Sequence, residues 1–219
     1  MKYFKAIVFD MDGLLLDTET IALRAFVEAC QEQGLNPDLK VYHRCIGTNY
    51  ARTREILQEG YGPSFPYDVI SRIWNQKFTY RVENLPIPHK EGVVNLLEFL
   101  HRHETQPVIV TSTRHSTAIK MLENAGILPY FGFVIGGDQI KNGKPNPEIY
   151  RTACQRLGNK PEDCLALEDS ENGVRSALAA GLTVIQIPDL VQPTEEVRAF
   201  GHLILKSLTD VQKWLADGV

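Results

Sequence analysis

The chain is poor in several features that commonly announce a function. Its four cysteines, Cys30, Cys45, Cys154 and Cys164, stand far apart with no C-x-x-C pair. Neither a disulfide frame nor a zinc site is expected, and a reducing, cytoplasmic setting is. No apolar run approaches the roughly 20 residues that a membrane-spanning helix requires. The first residues pass directly into a strand ending on acids, without the apolar core and small-residue cleavage site of a secretory leader, so none is expected. A basic field is missing too. With 23 Lys and Arg against 27 Asp and Glu, scattered in sign, the net charge is -4, which argues against a nucleic-acid polymer or a membrane surface as partner. Internal repeats and low-complexity segments are also lacking. What is there is 219 residues, 43% of them hydrophobic, enough for one large domain or a domain with a modest insertion.

The stretch that organises the rest is Lys5-Ala-Ile-Val-Phe-Asp-Met-Asp-Gly-Leu-Leu-Leu16, an apolar and β-branched run that ends on two carboxylates, Asp10 and Asp12, and then Gly13. Such a run bounded by Asp and Gly reads as an interior strand that delivers two acids to a loop. If the strand continued, Asp10 and Asp12 would point the same way. Two anions crowded at a strand end need a counter-charge, either a bound cation or protonation of one of them.

Residues 17 to 34 read as a helix with a partial stripe of Ile21, Ala25, Val27 or Glu28, and Ala29, stopped at Gly34. Helical patterns follow at roughly 38–45, 50–60 and 66–83 with no strand between them, broken at Gly47 and over Gly60 to Pro66, and closed by Pro86 and Pro88. The pattern then changes. Helices at about 91–104, 115–125, 146–158, 171–180 and 208–216 alternate with short strands at 107–111, 133–136, 164–167, 183–187 and 203–205. Strand and helix in alternation predict an α/β fold, a doubly wound parallel sheet of Rossmann-like type with helices on both faces. Residues 1–16 and 89–219 would form this core and 17–88 an all-helical insertion. An insertion after the first strand is expected over the carboxyl ends of the strands, where open α/β sheets bind ligands, as a lid. Its two crossings, 14–18 and 84–90, would make a paired hinge.

The strand ends carry a consistent chemistry. The second core strand ends in Thr111-Ser112-Thr113, hydroxyls and amides ahead of a helix, suited to an anion. Beyond the third comes Lys144-Pro145, where proline is expected to hold Lys144 on an extended, stiffened segment. The fourth ends in Glu168-Asp169. Four carboxylates, Asp10, Asp12, Glu168 and Asp169, with no His or Cys among them, make a hard-oxygen site suited to Mg2+. Thr111, the Ser112 amide and Lys144 would neutralise phosphoryl oxygens. No serine or cysteine is paired with a base, so the expected nucleophile is a carboxylate, giving an aspartyl-phosphate, with Asp12 as general acid and base.

Asp10-Met-Asp-Gly-Leu-Leu-Leu-Asp-Thr-Glu, Thr111-Ser-Thr, Lys144-Pro145 and Glu168-Asp169-Ser-Glu-Asn-Gly173 resemble the four motifs of the haloacid dehalogenase superfamily. In particular they resemble its phosphatase and β-phosphoglucomutase-like branch, with a helical cap after the first strand. The resemblance spans nearly the whole core. It implies Asp10 as nucleophile, Asp12 as acid/base with its backbone carbonyl on the metal, and Thr111 and Lys144 on the phosphoryl group. It also implies Asp169 as a metal ligand and Glu168 as a ligand directly or through water. The second acid, Asp12, speaks for phosphoryl transfer and against the carbon-halogen hydrolases of the superfamily.

Substrate choice is thinly written. Candidates for leaving-group contacts are Glu19, Arg52, Arg54 and Lys77 in the insertion, with Arg114 and His115 in the core. The segment Gly47-Thr-Asn-Tyr-Ala-Arg52 only loosely resembles the mutase cap, which favours hydrolysis over isomerisation. The reading is a Mg2+-dependent phosphatase of a small phosphorylated metabolite, a sugar phosphate or a nucleotide-like compound, acting as a monomer. A phosphosugar mutase is the alternative within enzymes. A non-catalytic phosphometabolite-binding regulator is the alternative outside them, although a pure switch has no need of an acid two residues from the nucleophile.

Overall fold

The computed structural model describes residues 4–46, 48 and 50–217, so the break read at Gly47, and Asn49 in the segment after it, lie outside the described residues. The chain divides into two compact units, one formed by the chain up to Asp17 and from Ile87 onward, the other by Thr18–Pro86.

The first unit is built on a six-stranded sheet in the order β3-β2-β1-β4-β5-β6, every neighbouring pair parallel. The strands are β1 (Ala6–Phe9), β2 (Gln106–Val110), β3 (Val134–Ile135), β4 (Cys164–Glu168), β5 (Thr183–Gln186) and β6 (Leu203–Ile204). Central β1 is buried along its whole length, as a parallel strand covered on both faces must be. Ala6 and Val8 point to one face and pack with Val108, Val110, Ala166 and Val184 against the helices α7 (Glu148–Leu157) and α8 (Glu171–Ala180). Ile7 and Phe9 point the other way, where Phe9 meets Phe131 edge-on at 5.9 Å. The terminal helix α10 (Leu208–Asp217) packs on α5 (Val93–Arg102), with Trp214 stacked on Phe4. The helix α6 (His115–Asn124) connects β2 to β3, and the short α9 (Glu195–Arg198), too brief to leave a periodic signal, precedes β6. Chain order runs outward from β1 through β2 to β3, then reverses through β4 to β6. The reversal falls between β1 and β4, the switch point at which such sheets bind ligands.

The two crossings into the insertion run side by side within this unit. Asp17 N donates to Pro88 O at 2.9 Å, Lys90 N to Leu15 O at 3.0 Å, and Leu16 bridges His89.

The second unit holds α1 (Thr18–Glu32), α2 (Leu39–His43), α3 (Tyr50–Tyr61) and α4 (Tyr67–Asn84). Its core gathers Phe26, Tyr42, Leu57 and Ile70, with Phe26 and Tyr42 each within 6 Å of the Trp74 ring. The buried stripe of α1 is Ala25, Phe26, Ala29 and Cys30; it contains the expected Ala25 and Ala29, while Ile21, Val27 and Glu28 are only partly buried. The bulk of Phe26 sets which face turns inward, because it packs against two other aromatic rings. Asp38 caps α2, accepting from Lys40 N at 2.8 Å.

The helix α8 starts at a Ser170 cap whose Oγ accepts from Gly173 N at 3.1 Å. Gly173 is required by proximity: a Cβ there would fall inside the carboxyl group of Glu168. Gly173→Ala is therefore expected to destabilise the protein by about 1–3 kcal/mol, read as a lowered urea midpoint. An unchanged midpoint would show that Glu168 is free to move aside.

Candidate active site

The register aligns Phe9 with Ile109 on one side and Leu167 on the other, so Asp10 stands level with Val110 and Glu168. Asp10 N still belongs to the ladder, donating to Leu167 O at 3.0 Å. Lys144 reaches this row from the loop before α7. Its Nζ lies 2.5 Å from both Asp10 Oδ1 and Glu168 Oε1 and 3.3 Å from the Val110 carbonyl, and the side chain is 5% exposed. Lys144 sits in a turn, with a cis peptide to Pro145, where an extended segment was expected from the proline. The loop folds back on itself instead, so the lysine points into the sheet's carboxyl edge. Glu168 is fully buried. Tyr150 of α7 donates its hydroxyl to Glu168 Oε1, and Ser170 Oγ lies 3.4 Å from the other oxygen.

Burial dominates the titration of this group. It pushes Asp10 up from 3.8 to about 8: Lys144 pulls the other way, while Glu168 and Asp12 add to the rise. Burial also works against the Lys144 ammonium, but Asp10 and Glu168 outweigh it and hold the lysine above its ordinary value. The Tyr150 phenol is raised by burial and by the Glu168 charge. Two acids on one lysine, Asp10 and Glu168, leave a deficit of positive charge, in keeping with the upward shift of Asp10.

A cation fits the donors. Asp10, Glu168 and Asp169 each offer a carboxylate oxygen, all within 4.8 Å of one another, an all-oxygen set of the kind hard divalent ions take. The Asp12 carboxylate is outside that group and accepts from two hydroxyls, Thr111 Oγ1 at 3.1 Å and Thr113 Oγ1 at 2.8 Å. Gly13, at φ +75°, occupies the left-handed region open to glycine, and a Cβ on it would come 2.5 Å from Asp169 Oδ2. The D-x-D-G glycine thus lets the two acidic strand ends approach.

Thr111 is buried and its hydroxyl also accepts from Thr113 N at 3.0 Å, while Ser112 is exposed. The Ser112 carbonyl rests against Gly137. His115 N, at the start of α6, is taken by Asp138 Oδ1 at 2.7 Å, and Arg114 is exposed at the N-cap.

The candidates in the insertion lie in the helical unit. There Arg52 pairs with Glu55 at 2.8 Å and Glu59 at 3.3 Å, and Arg54 with Asp68 at 3.1 Å. Lys77 joins α4 to α1 through Glu32 at 2.6 Å and Glu28 at 3.3 Å. Glu19 lies half-buried in the first turn of α1. Residues that the sequence reading did not single out include Tyr150, whose only signal is its place on the helix after Lys144. Gln186, the last residue of β5, and Asp189 beyond it carry polar groups at a strand end that the sequence pattern marks only as a strand. Gln186 Nε2 donates to the Asp169 carbonyl at 3.1 Å and its Oε1 meets His202 Nε2 at 2.9 Å.

Comparison with known proteins agrees with this geometry. The family model described as haloacid dehalogenase-like hydrolase matches residues 7–187. A phosphorylated carbohydrates phosphatase of Thermotoga maritima is 32% identical over 179 residues, covering 81% of this chain and 82% of that protein. A crystal structure of a HAD family hydrolase from Deinococcus radiodurans with bound phosphate and sodium superposes with a TM-score of 0.83 at 25% identity, covering 99% of this chain and 97% of the other. That of a CbbY variant from Rhodobacter sphaeroides in complex with xylulose-(1,5)bisphosphate gives 0.73 at 28% identity, covering 94% and 96%. Matched by its family model from β1 through β5, with paired acids at the ends of β1 and β4 and a lysine between them, the chain is an enzyme that belongs to the haloacid dehalogenase-like hydrolases.

Proposed function

We propose that the protein is a Mg2+-dependent phosphatase that hydrolyses a small phosphomonoester, a phosphorylated sugar being the favoured class, through an aspartyl-phosphate on Asp10. The observation that carries this reading is the division of labour within Asp10-Met-Asp12. One acid is held by Lys144 in a cluster of carboxylates, and the other is held apart by two hydroxyls. Two carboxylates placed in different surroundings can take different roles in one reaction.

In this mechanism Asp10 attacks phosphorus as the carboxylate, the ester P–O bond breaks, and Asp12 gives its proton to the departing oxygen. Asp12 then takes a proton from water as that water attacks the aspartyl-phosphate, releasing inorganic phosphate and restoring Asp10. Thr111 and Thr113 hold the Asp12 carboxylate in one orientation through both steps. Lys144 fixes Asp10 and brings positive charge to the phosphoryl oxygens, with the Ser112 amide as a further donor, since the single Thr111 hydroxyl proton is given to Asp12. Asp10, Glu168, Asp169 and the Asp12 carbonyl would hold the Mg2+, which supplies charge that screens the anionic ester from the anionic nucleophile. Uncatalysed monoester hydrolysis is so slow that the whole arrangement must remove on the order of 20 kcal/mol of barrier. The names of similar proteins, one for phosphorylated carbohydrates and one bound to xylulose-(1,5)bisphosphate, support the sugar class. The helical unit is proposed as the cap domain of the family, and the cytoplasm as the compartment.

Three outcomes are expected. Asp10→Asn should lower phosphate release on the order of 10^4-fold or more while circular dichroism and melting stay unchanged. Activity retained in that variant removes Asp10 as nucleophile. A panel of phosphorylated metabolites should release inorganic phosphate only with Mg2+ present, and an isomerised sugar phosphate as the main product would assign the chain to the mutases instead. Because Asp10 keeps its proton up to about pH 8, Mg2+ must displace that proton. Affinity should therefore rise by up to about tenfold per pH unit from about pH 6 to about pH 8 and then level off, with proton release seen by calorimetry in buffers of different ionisation enthalpy. Affinity independent of pH over that range contradicts a protonated Asp10.

A further inference from the structure

Asp189, three residues beyond β5, is tied at one end only. Its side chain is 9% exposed, and Oδ1 accepts from Lys90 Nζ at 2.5 Å. Lys90 in turn lies 4.0 Å from Asp17. Oδ2 is buried and, among the described residues, has no hydrogen-bond partner. A carboxylate oxygen taken out of bulk water in this way needs a donor.

The position of that oxygen says where the donor must come from. The point that a Cβ on Gly13 would occupy is 2.5 Å from Asp169 Oδ2 and 3.5 Å from Asp189 Oδ2. The two carboxylate oxygens therefore lie within the sum of those distances of each other, with only the hydrogens of a glycine beside the gap. A cavity of about 330 Å³, lined by Gly13, Asp17, Lys90, Asp189 and Lys206, opens next to them. Asp189 is too far to join the carboxylates that can share one ion. The spacing suits an intermediate molecule. Mg2+ keeps several waters at about 2.1 Å, and each such water is a strong donor that reaches an acceptor about 2.8 Å further on.

We propose that Asp189 is a positioning residue for the cation, accepting a hydrogen bond through Oδ2 from a water bound to the ion on Asp10, Glu168 and Asp169, while Lys90 fixes Oδ1. This rests on the cation reading above and adds to it a residue after β5. The Lys90 pairing leaves Asp189 without net charge to add to an already acidic cluster, so its contribution is orientation of that water.

The substitution Asp189→Asn is diagnostic because Lys90 demands an acceptor. The amide oxygen turns to Lys90 and the amide NH2 then faces the water, donor against donor. Mn2+ is titrated into protein stripped with EDTA, and free ion is read from its electron paramagnetic resonance signal. Asp189→Asn is expected to bind Mn2+ about tenfold to a hundredfold more weakly, with a melting temperature in EDTA equal to that of the unsubstituted protein. The double variant Lys90→Met with Asp189→Asn, in which the amide is free to turn over, should recover part of the loss. Asp189→Asn binding as tightly as the unsubstituted protein, while Asp169→Asn loses the ion, overturns the role of Asp189 and leaves the cation reading standing. Loss as complete as that of Asp169→Asn overturns it too, by making Asp189 a direct ligand. If the unsubstituted protein takes up no Mn2+, the cation reading itself fails and this inference with it.

Discussion

A single ammonium group holds the carboxyl ends of the central strands together. Lys144 is nearly inaccessible and touches Asp10, Glu168 and the last carbonyl of β2 at once, so three neighbouring strands share one counter-charge. Burying a charge is unfavourable unless it is paired and hydrogen-bonded, and each partner here is over-determined. Glu168 is also bound by Tyr150 and approached by Ser170, and Gly173 leaves it room at the start of α8. The apolar sheet below contributes a rigid frame, since β1 is covered on both faces and cannot shift register without turning its side chains to the wrong side. The chemistry at the top is consequently as fixed as the core beneath it.

Environment, more than residue type, separates the two acids of β1. Asp10 is surrounded by other carboxylates and apolar strand residues, and burial raises it far out of the carboxylate range. Asp12, past the end of the strand, turns into the hydroxyl pair of the β2 loop. That loop is itself packed on Gly136 and Gly137, so residues after β3 support the orientation of an acid after β1. Two copies of the same side chain thus stand in different surroundings, which is the premise of the separate roles proposed for them.

Much of this was legible in the residue string because the period of the core is simple. Short apolar runs alternating with helices imply a parallel sheet, parallel strands bring their carboxyl ends together, and the polar residues at those ends can be read off one strand at a time. What could not be read was reach. Lys144 is far in sequence from Asp10, and a proline after it suggested an extended segment where the chain turns. Tyr150 looked like one more core aromatic on α7, and only the structure aims its hydroxyl at Glu168. On α1 the periodic pattern allowed more than one inward face, and the contacts of Phe26 with Tyr42 and Trp74 decided between them. Asp189 stands three residues past β5, beyond what a strand-end pattern marks, and its pairing with Lys90 spans 99 residues of sequence. Lys77 and Arg52, read from their charge as candidates for substrate contact, are engaged in ion pairs of the helical unit.

The chain leaves the sheet unit and returns to it at adjacent points, Asp17 bonded to Pro88 and Leu15 to Lys90. An insertion whose two ends are already stapled together imposes little closure entropy on its host, and its length is not constrained by any span it must bridge. The architecture therefore works as a socket: the sheet and its acids can be inherited unchanged while the segment between residues 17 and 88 is lengthened, shortened or exchanged. Changes of length in the helical unit are thereby kept from straining the strands that carry the acids.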